Sequence, residues 1–154
     1  MNASFRDKTV LITGGTGTIG SEILQQVLAQ QPRVVRIFSR DETKHAQQRV
    51  ELPSGAPVRH LIGDVRDLER LRCALDGVDV VFHAAALKHV PACEYNPFEA
   101  AQTNVLGTQN LIQGCREVGV NRLVYISTSN FVAPIVLTGR TRNLWPNVLL
   151  QLDG

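Results

Sequence analysis

Gly14, Gly17 and Gly20 stand in the run TGGTGTIG, between an apolar segment and an amphipathic one. At that spacing Gly14 allows a tight turn, Gly17 presents no side chain to an approaching pyrophosphate, and Gly20 lets the following helix pack close to the strand. Phosphates so placed meet the free N–H groups of the helix and the positive end of its dipole. Thr16, Thr18 and Ile19, in the same loop and first helical turn, belong to the same candidate site. The chemistry is dinucleotide binding, with a plain glycine-rich turn as the alternative. A second cluster, Phe38-Ser39-Arg40-Asp41, ends the next apolar run. An acidic side chain there accepts ribose hydroxyls, whereas an arginine accommodates a 2′-phosphate. Ser39 and Arg40 therefore favour NADP over NAD, and Asp41 stands late for a ribose ligand. The other reading leaves Arg40 solvated and makes Asp41 only a helix cap. Asp64 and Val65 follow a third apolar run and are placed to reach the adenine, unless Asp64 merely caps the next helix.

These residues need a scaffold that brings them to one edge. Thr9 to Thr13 is a short β-branched run and reads as a buried strand. A helix follows from Thr18 to about Gln30, with Ile19, Ile23, Leu24, Val27 and Leu28 at helical spacing. After Pro32 the pattern repeats, with strands at Val34–Phe38, Val58–Ile62, Val78–Phe82 and Leu123–Ile126. Between them lie helices from Asp41 to about Val50, from Leu68 to Leu75, and a long one from Asn96 to Val118 with Pro97 in its first turn. Strands alternating with helices imply βαβ units and a doubly wound, Rossmann-type parallel sheet of about five strands. Right-handed crossovers put the loops that leave the carboxyl ends of the strands on one edge, where ligands bind. The motifs above fall on those loops.

Composition narrows the class. A chain of 154 residues makes one sizeable core, and 44% hydrophobic with 19% charged residues is ordinary for a globular protein. A net charge of +2 without a basic run gives no reason to expect nucleic acid. No stretch approaches the roughly 20 apolar residues of a membrane span, and the N-terminus has no signal-peptide pattern, so the expected compartment is the cytoplasm. Cys73, Cys93 and Cys115 form no CxxC pair and read as free thiols, and the four histidines complete no metal-ligand spacing, so no metal is expected.

The glycine run, GDVRD at 63–67 and HAAALKHVP at 83–91 together resemble the extended short-chain dehydrogenase/reductase superfamily. The string that follows contains Glu94, Asn96, Pro97, Glu99, Ala100, Thr103, Asn104, Val105, Gly107, Thr108, Asn110 and Leu111. It is similar to the nucleotide-sugar 4,6-dehydratases of the polysaccharide-biosynthesis (CapD-like) family, above all those acting on UDP-N-acetylglucosamine, and the likeness covers residues 8–128. The resemblance implies NADP as cofactor, a UDP-sugar as substrate and an internal hydride cycle. The sugar is oxidised at C4, loses the C5 proton and the C6 hydroxyl as water, and receives the hydride back at C6. It also implies that Ala84, Ala85 and Ala86 line the cofactor path, that Lys88 faces the nicotinamide and substrate, and that Asn104 sits beside the active site. Lys88 and His89 as solvated loop residues, and Asn104 as a local packing contact, are the alternatives.

Beyond Ser127-Thr128 the resemblance weakens. The family reads DKAVNP and then a Tyr or Met with a Lys one turn later, where this chain has Ser129, Asn130, Phe131, Val132, Ala133 and Pro134. Thr138 takes the Tyr/Met position and Arg142 the Lys position. Neither Ser129 nor Asn130 is a good acid or base at neutral pH, and Arg142 cannot be deprotonated. No Tyr-x-x-x-Lys pair exists, which disfavours simple carbonyl reduction. The expected organisation is a cofactor-binding domain over 1–128 and a divergent tail over 129–154, in which Trp145–Leu150 offers one more short apolar element. Val132, Pro134 and Gly139 still fit the family's spacing, which favours a degraded, truncated copy over a frameshift directly after Thr128; a genuine short protein with a new tail is the alternative. Exposed apolar surface is then expected to favour self-association. Two functions stand: a dehydratase by descent, impaired or inactive as this chain, and a non-catalytic NADP-binding module.

Overall fold

The computed structural model describes residues 5–87, 90–126 and 149–151. Six strands form one sheet: β1 (Thr9–Thr13), β2 (Val34–Ser39), β3 (Val58–Ile62), β4 (Val80–His83), β5 (Arg122–Tyr125) and β6 (Leu149–Gln151). Their spatial order is β3-β2-β1-β4-β5-β6. The first five run parallel, and β6 joins β5 antiparallel, with Leu123 opposite Leu150. The five-strand parallel expectation therefore holds, and part of the apolar stretch in the tail adds one antiparallel edge strand. The order reverses between β1 and β4, and a crevice opens at such a switch point beside the carboxyl ends of the strands.

Helices α1 (Thr18–Leu28), α2 (Glu42–Glu51), α3 (Leu68–Leu75), α4 (Val90–Tyr95), α5 (Pro97–Ala101) and α6 (Gly107–Val118) connect the strands. Alternation along the central strands splits the core in two. Val10, Ile12, Val35, Ile37 and Val80 pack with Leu24 and Val27 of α1. Leu11, Phe38, Val81 and Leu123 pack with Leu71 and Leu75 of α3 and with Leu111, Ile112 and Cys115 of α6. Burial of Cys115 pushes its thiol up to about 12, so it behaves as a small core residue. All three cysteines are free thiols, Cys73 exposed and Cys93 buried.

Several strand and helix ends shift by one or two residues from the sequence reading, and two differences bear on the site. Strand β4 runs to His83 rather than ending at Phe82, because the buried imidazole finds partners on both sides: Thr13 Oγ1 at 2.6 Å and Thr108 Oγ1 at 2.9 Å. The long helix expected over 96–118 is interrupted. The separate turn α4 precedes it, and a π-helical turn at Gln102–Leu106 joins α5 to α6. Gly107 sits directly behind that turn against Val65, where an added Cβ would lie 2.5 Å from Val65 Cγ2. Helix α6 ends at Gly119, whose φ of +75° is the left-handed conformation that glycine accepts readily.

Candidate functional site

The turn from β1 into α1 follows the geometry that the glycine spacing demands. Gly14 has a φ of +67°, and a Cβ there would lie 2.7 Å from the backbone of Ala85, so the loop after β4 approaches too closely for any side chain. At Gly20 a Cβ would stand 2.3 Å from Gly14 O, which is why the first turn of α1 can lie against the loop. Gly17 differs: its φ is −84°, and a Cβ would meet only Gly14 O, at 3.3 Å. The space above Gly17 is open, and Gly17 itself caps α1 without any side-chain bond to the first-turn N–H groups.

That space belongs to a cavity of about 300 Å³. Its walls bring together Gly14, Thr16, Gly17, Thr18, Ile19, Gly20, Ser39, Arg40, Asp64, Val65, Ala84, Ala85 and Ala86. Every cofactor-binding residue expected from sequence, Lys88 excepted, thus lies around one volume. Ile19, expected on the buried stripe of α1, is 45% exposed and turns toward the cavity instead. Lys88, His89, Ser129, Asn130, Thr138 and Arg142 fall outside the described residues.

The polar groups at the rim are organised by charge. Asp64 accepts from the Arg66 backbone N–H at 2.9 Å and from the Arg66 guanidinium at 2.7 Å, and Arg40 Nη1 lies 3.6 Å from its Oδ2. Burial alone would raise the carboxyl, but the hydrogen bonds and charge of Arg66, joined by Arg40, hold it below the ordinary carboxylate value. The cap of α3 is Asp67, which accepts from the Arg70 N–H, so the reading of Asp64 as a helix cap does not hold. Asp41 does cap α2, accepting from the Lys44 N–H at 3.0 Å. Arg66 also bonds Glu99 at 2.7 Å, tying the loop after β3 to α5.

Asn104 is buried, does not line the cavity and clamps the loop that does. Its Oδ1 accepts from the Leu87 N–H at 2.9 Å and its Nδ2 donates to Leu87 O at 3.2 Å. These two bonds hold the backbone of Leu87, the last described residue before Lys88 in sequence. Sequence reasoning missed Lys44 and Thr103, both in the cavity wall. The signal for Lys44 was its place in the first turn of α2, four residues after Arg40 in sequence. Thr103 needed the π turn, which buries it and Asn104 side by side. The Thr103 hydroxyl oxygen is buried without a hydrogen-bond partner among the described residues, and Thr103 borders the cavity. A dinucleotide fits these features: an open cradle over Gly17, an orphaned hydroxyl in the wall, and cationic Arg40 and Lys44 at the rim.

The profile of the polysaccharide biosynthesis protein family matches residues 10–153. The chain belongs to this family. It is 51% identical over 140 residues to an uncharacterized membrane protein of Methanocaldococcus jannaschii, and 45% identical over 139 residues to an inverting UDP-N-acetylglucosamine 4,6-dehydratase of Campylobacter jejuni. These matches cover 91% and 90% of this chain but only 42% and 41% of the relatives, so the chain spans less than half of their length. Among solved structures it resembles Pen from Bacillus thuringiensis, with a TM-score of 0.87, 46% identity, and coverage of 90% of this chain and 43% of that one. It also resembles DesIV, a dTDP-glucose 4,6-dehydratase from Streptomyces venezuelae with NAD bound, with a TM-score of 0.74, 28% identity, and coverage of 87% and 48%. No helix among the described residues is long and apolar enough to cross a membrane.

Proposed function

We propose that this chain is the cofactor-holding part of a nucleotide-sugar 4,6-dehydratase of the UDP-N-acetylglucosamine type, and that its cavity takes a nicotinamide dinucleotide, NADP in preference to NAD. The observation that carries the reading is the open cradle at Gly17, set at the N-terminus of α1 and at the reversal of strand order. The names of the relative from C. jejuni and of the NAD-bound DesIV support the substrate class and the cofactor class.

When bound, the nicotinamide supplies reversible hydride transfer with the sugar. The residues of the chain bind and orient. Gly17 admits the pyrophosphate to the first-turn N–H groups of α1, where the helix dipole favours anions. Arg40 and Lys44, with Ser39 between them and the glycine loop, suit the 2′-phosphate that distinguishes NADP. Asp64 and Val65 flank the adenine, and Ala84 to Ala86 give a smooth wall along which the cofactor passes. Asn104 fixes Leu87 and so aims the backbone toward Lys88.

The family's acid, base and lysine positions hold Ser129, Asn130 and Arg142 here. We therefore propose that the chain alone binds NADP and turns over UDP-N-acetylglucosamine weakly or not at all; a non-catalytic NADP-binding module is the reading these residues favour second. Exposed Tyr95, Phe98 and Leu106 on α4, α5 and the π turn support self-association.

Fluorescence titration with NADP+ is expected to give saturable binding, and Gly17→Val to weaken it at least about 100-fold, because the side chain fills the space the pyrophosphate needs. The melting temperature should stay within a few degrees, since the φ of Gly17 is open to any residue. Unchanged affinity in that variant sinks the role of the cradle. Incubation with UDP-N-acetylglucosamine then tests the second reading: release of any 4-keto-6-deoxy sugar rules out a non-catalytic module.

A further inference from the structure

Helix α2 turns two polar side chains inward. His45 and Gln48, one turn apart, are the buried residues of this helix. Gln48 Nε2 donates to Gly15 O at 2.9 Å, so the helix grips the glycine loop directly. His45 sits at the centre of a longer chain of bonds. Its Nε2 lies 2.9 Å from Ser39 Oγ and 3.1 Å from Ser39 O, and its Nδ1 lies 2.9 Å from His60 Nδ1 on β3. Ser39 Oγ in turn lies 2.8 Å from Thr16 Oγ1 in the cavity wall.

The partners fix where the protons are. A carbonyl oxygen only accepts, so His45 Nε2 carries the hydrogen and donates to Ser39. With Nε2 as its donor, His45 accepts at Nδ1, and the hydrogen between the two rings belongs to His60 Nδ1. His60 Nε2 is left as a bare lone pair, buried and without a partner among the described residues. A proton there would be a buried donor with nothing to donate to among the described residues, a cost that disfavours charging His60. Burial, the neighbouring His45 and Arg49 lower the His60 pKa accordingly.

This order has a consequence at the cavity. Because Ser39 Oγ accepts from His45, its own hydrogen is directed away from the histidine; with Thr16 Oγ1 donating to the second lone pair of Ser39 Oγ, that hydrogen is left for the cavity. We propose that His45, held in one tautomer by His60, is a positioning residue that makes Ser39 a hydrogen-bond donor toward the adenosine ribose, and so sets the preference of the site for a 2′-phosphate over a 2′-hydroxyl. A phosphate presents only acceptors and gains from a donor fixed in advance, whereas a hydroxyl satisfies itself with either arrangement. The inference rests on the NADP reading above.

The test is calorimetric titration of the full chain with NADP+ and with NAD+. His45→Leu is expected to lower the ratio of the NAD+ to the NADP+ dissociation constant about tenfold, while NAD+ affinity moves less than about twofold. His45→Gln is expected to restore the ratio, because an amide accepts from His60 and donates to Ser39 in the same sense. In a Ser39→Ala background His45→Leu should change the ratio no further, a non-additivity that general loosening of the helix would not produce. If His45→Leu does not fold, His60→Leu replaces it, with an expected fall of about threefold. A wild-type chain that binds both dinucleotides equally defeats the NADP reading and this inference with it. A wild-type chain that prefers NADP+, with the ratio intact in His45→Leu or in His60→Leu, or with His45→Gln as impaired as His45→Leu, overturns the inference alone.

Discussion

Helix α2 and the helix pair α3 and α6 shield the same sheet by different physics. The pair buries Leu71, Leu75, Leu111, Ile112 and Cys115 against Leu11, Phe38, Val81 and Leu123, a close-packed apolar contact without directional demands. Helix α2 meets β3 and the glycine loop through His45 and Gln48, whose hydrogen bonds define one arrangement and one only. The apolar flank supplies stability, and the polar flank supplies position at the cavity. Polar contacts are costly when left half made, so a helix of this kind is retained where geometry matters more than free energy.

The largest effect should come from the apolar flank. Leu111 is fully buried at the centre of its cluster, and Leu111→Ala removes buried methyl groups and leaves a cavity. The expected loss is about 2–5 kcal/mol in urea unfolding, with NADP+ affinity nearly unchanged in the fraction that stays folded. A loss below about 1 kcal/mol would show that α6 is not anchored as described.

Gln48→Met is the matching change on the polar flank and should be milder in stability but more damaging to binding. It removes the bond to Gly15 O, yet it also removes Gln48 Oε1, a buried acceptor with no partner among the described residues. These terms offset, so the expected cost is about 1 kcal/mol or less, while NADP+ affinity falls several-fold as the glycine loop loosens. If stability drops as far as in Leu111→Ala while affinity holds, the division of labour between the two flanks is wrong.

The same contrast governs what the sequence made legible. Strand β1, the glycine turn and α1 announce themselves through a β-branched run, fixed glycine spacing and apolar residues three and four apart, all local signals. Helix α2 showed only its cap at Asp41, because His45 and Gln48 at that spacing look like a solvated face until β3 and the glycine loop are brought beside them. Lys44 was overlooked for the same reason. The π turn at Gln102–Leu106 was read as plain helix, since its setting depends on Gly107 meeting Val65, forty-two residues earlier in the chain. Of the two roles open to Asp64 from sequence, the helix cap falls because Asp67, three residues on, caps α3. Residues 88–89 and 129–142, where the family keeps its proton-transfer groups, lie outside the described residues.

The smallest effect is a pH dependence that separates the flanks by window. The folded-state pKa of His60 is depressed below the ordinary 6.5, so below that value the unfolded chain binds more protons, and stability falls as pH drops from 6.5 toward the folded pKa. Glu117 on α6 behaves as an acid lowered by Arg72 on α3, then by Gln113, from 4.5 to about 2. Its contribution is complete above 4.5 and is lost between 4.5 and about 2, where Asp64, also lowered, adds to the decline. The Glu117 pair is solvent-exposed, so its share should be small and should fade in high salt, whereas the histidine limb should persist. Unfolding midpoints measured in steps from pH 7.5 to 3 check this directly. His60→Leu should flatten the upper limb and spare the lower one, and Glu117→Gln should reduce the lower limb and spare the upper. An upper limb that survives His60→Leu would mean that the buried histidine pair is not what makes the polar flank sensitive to acid.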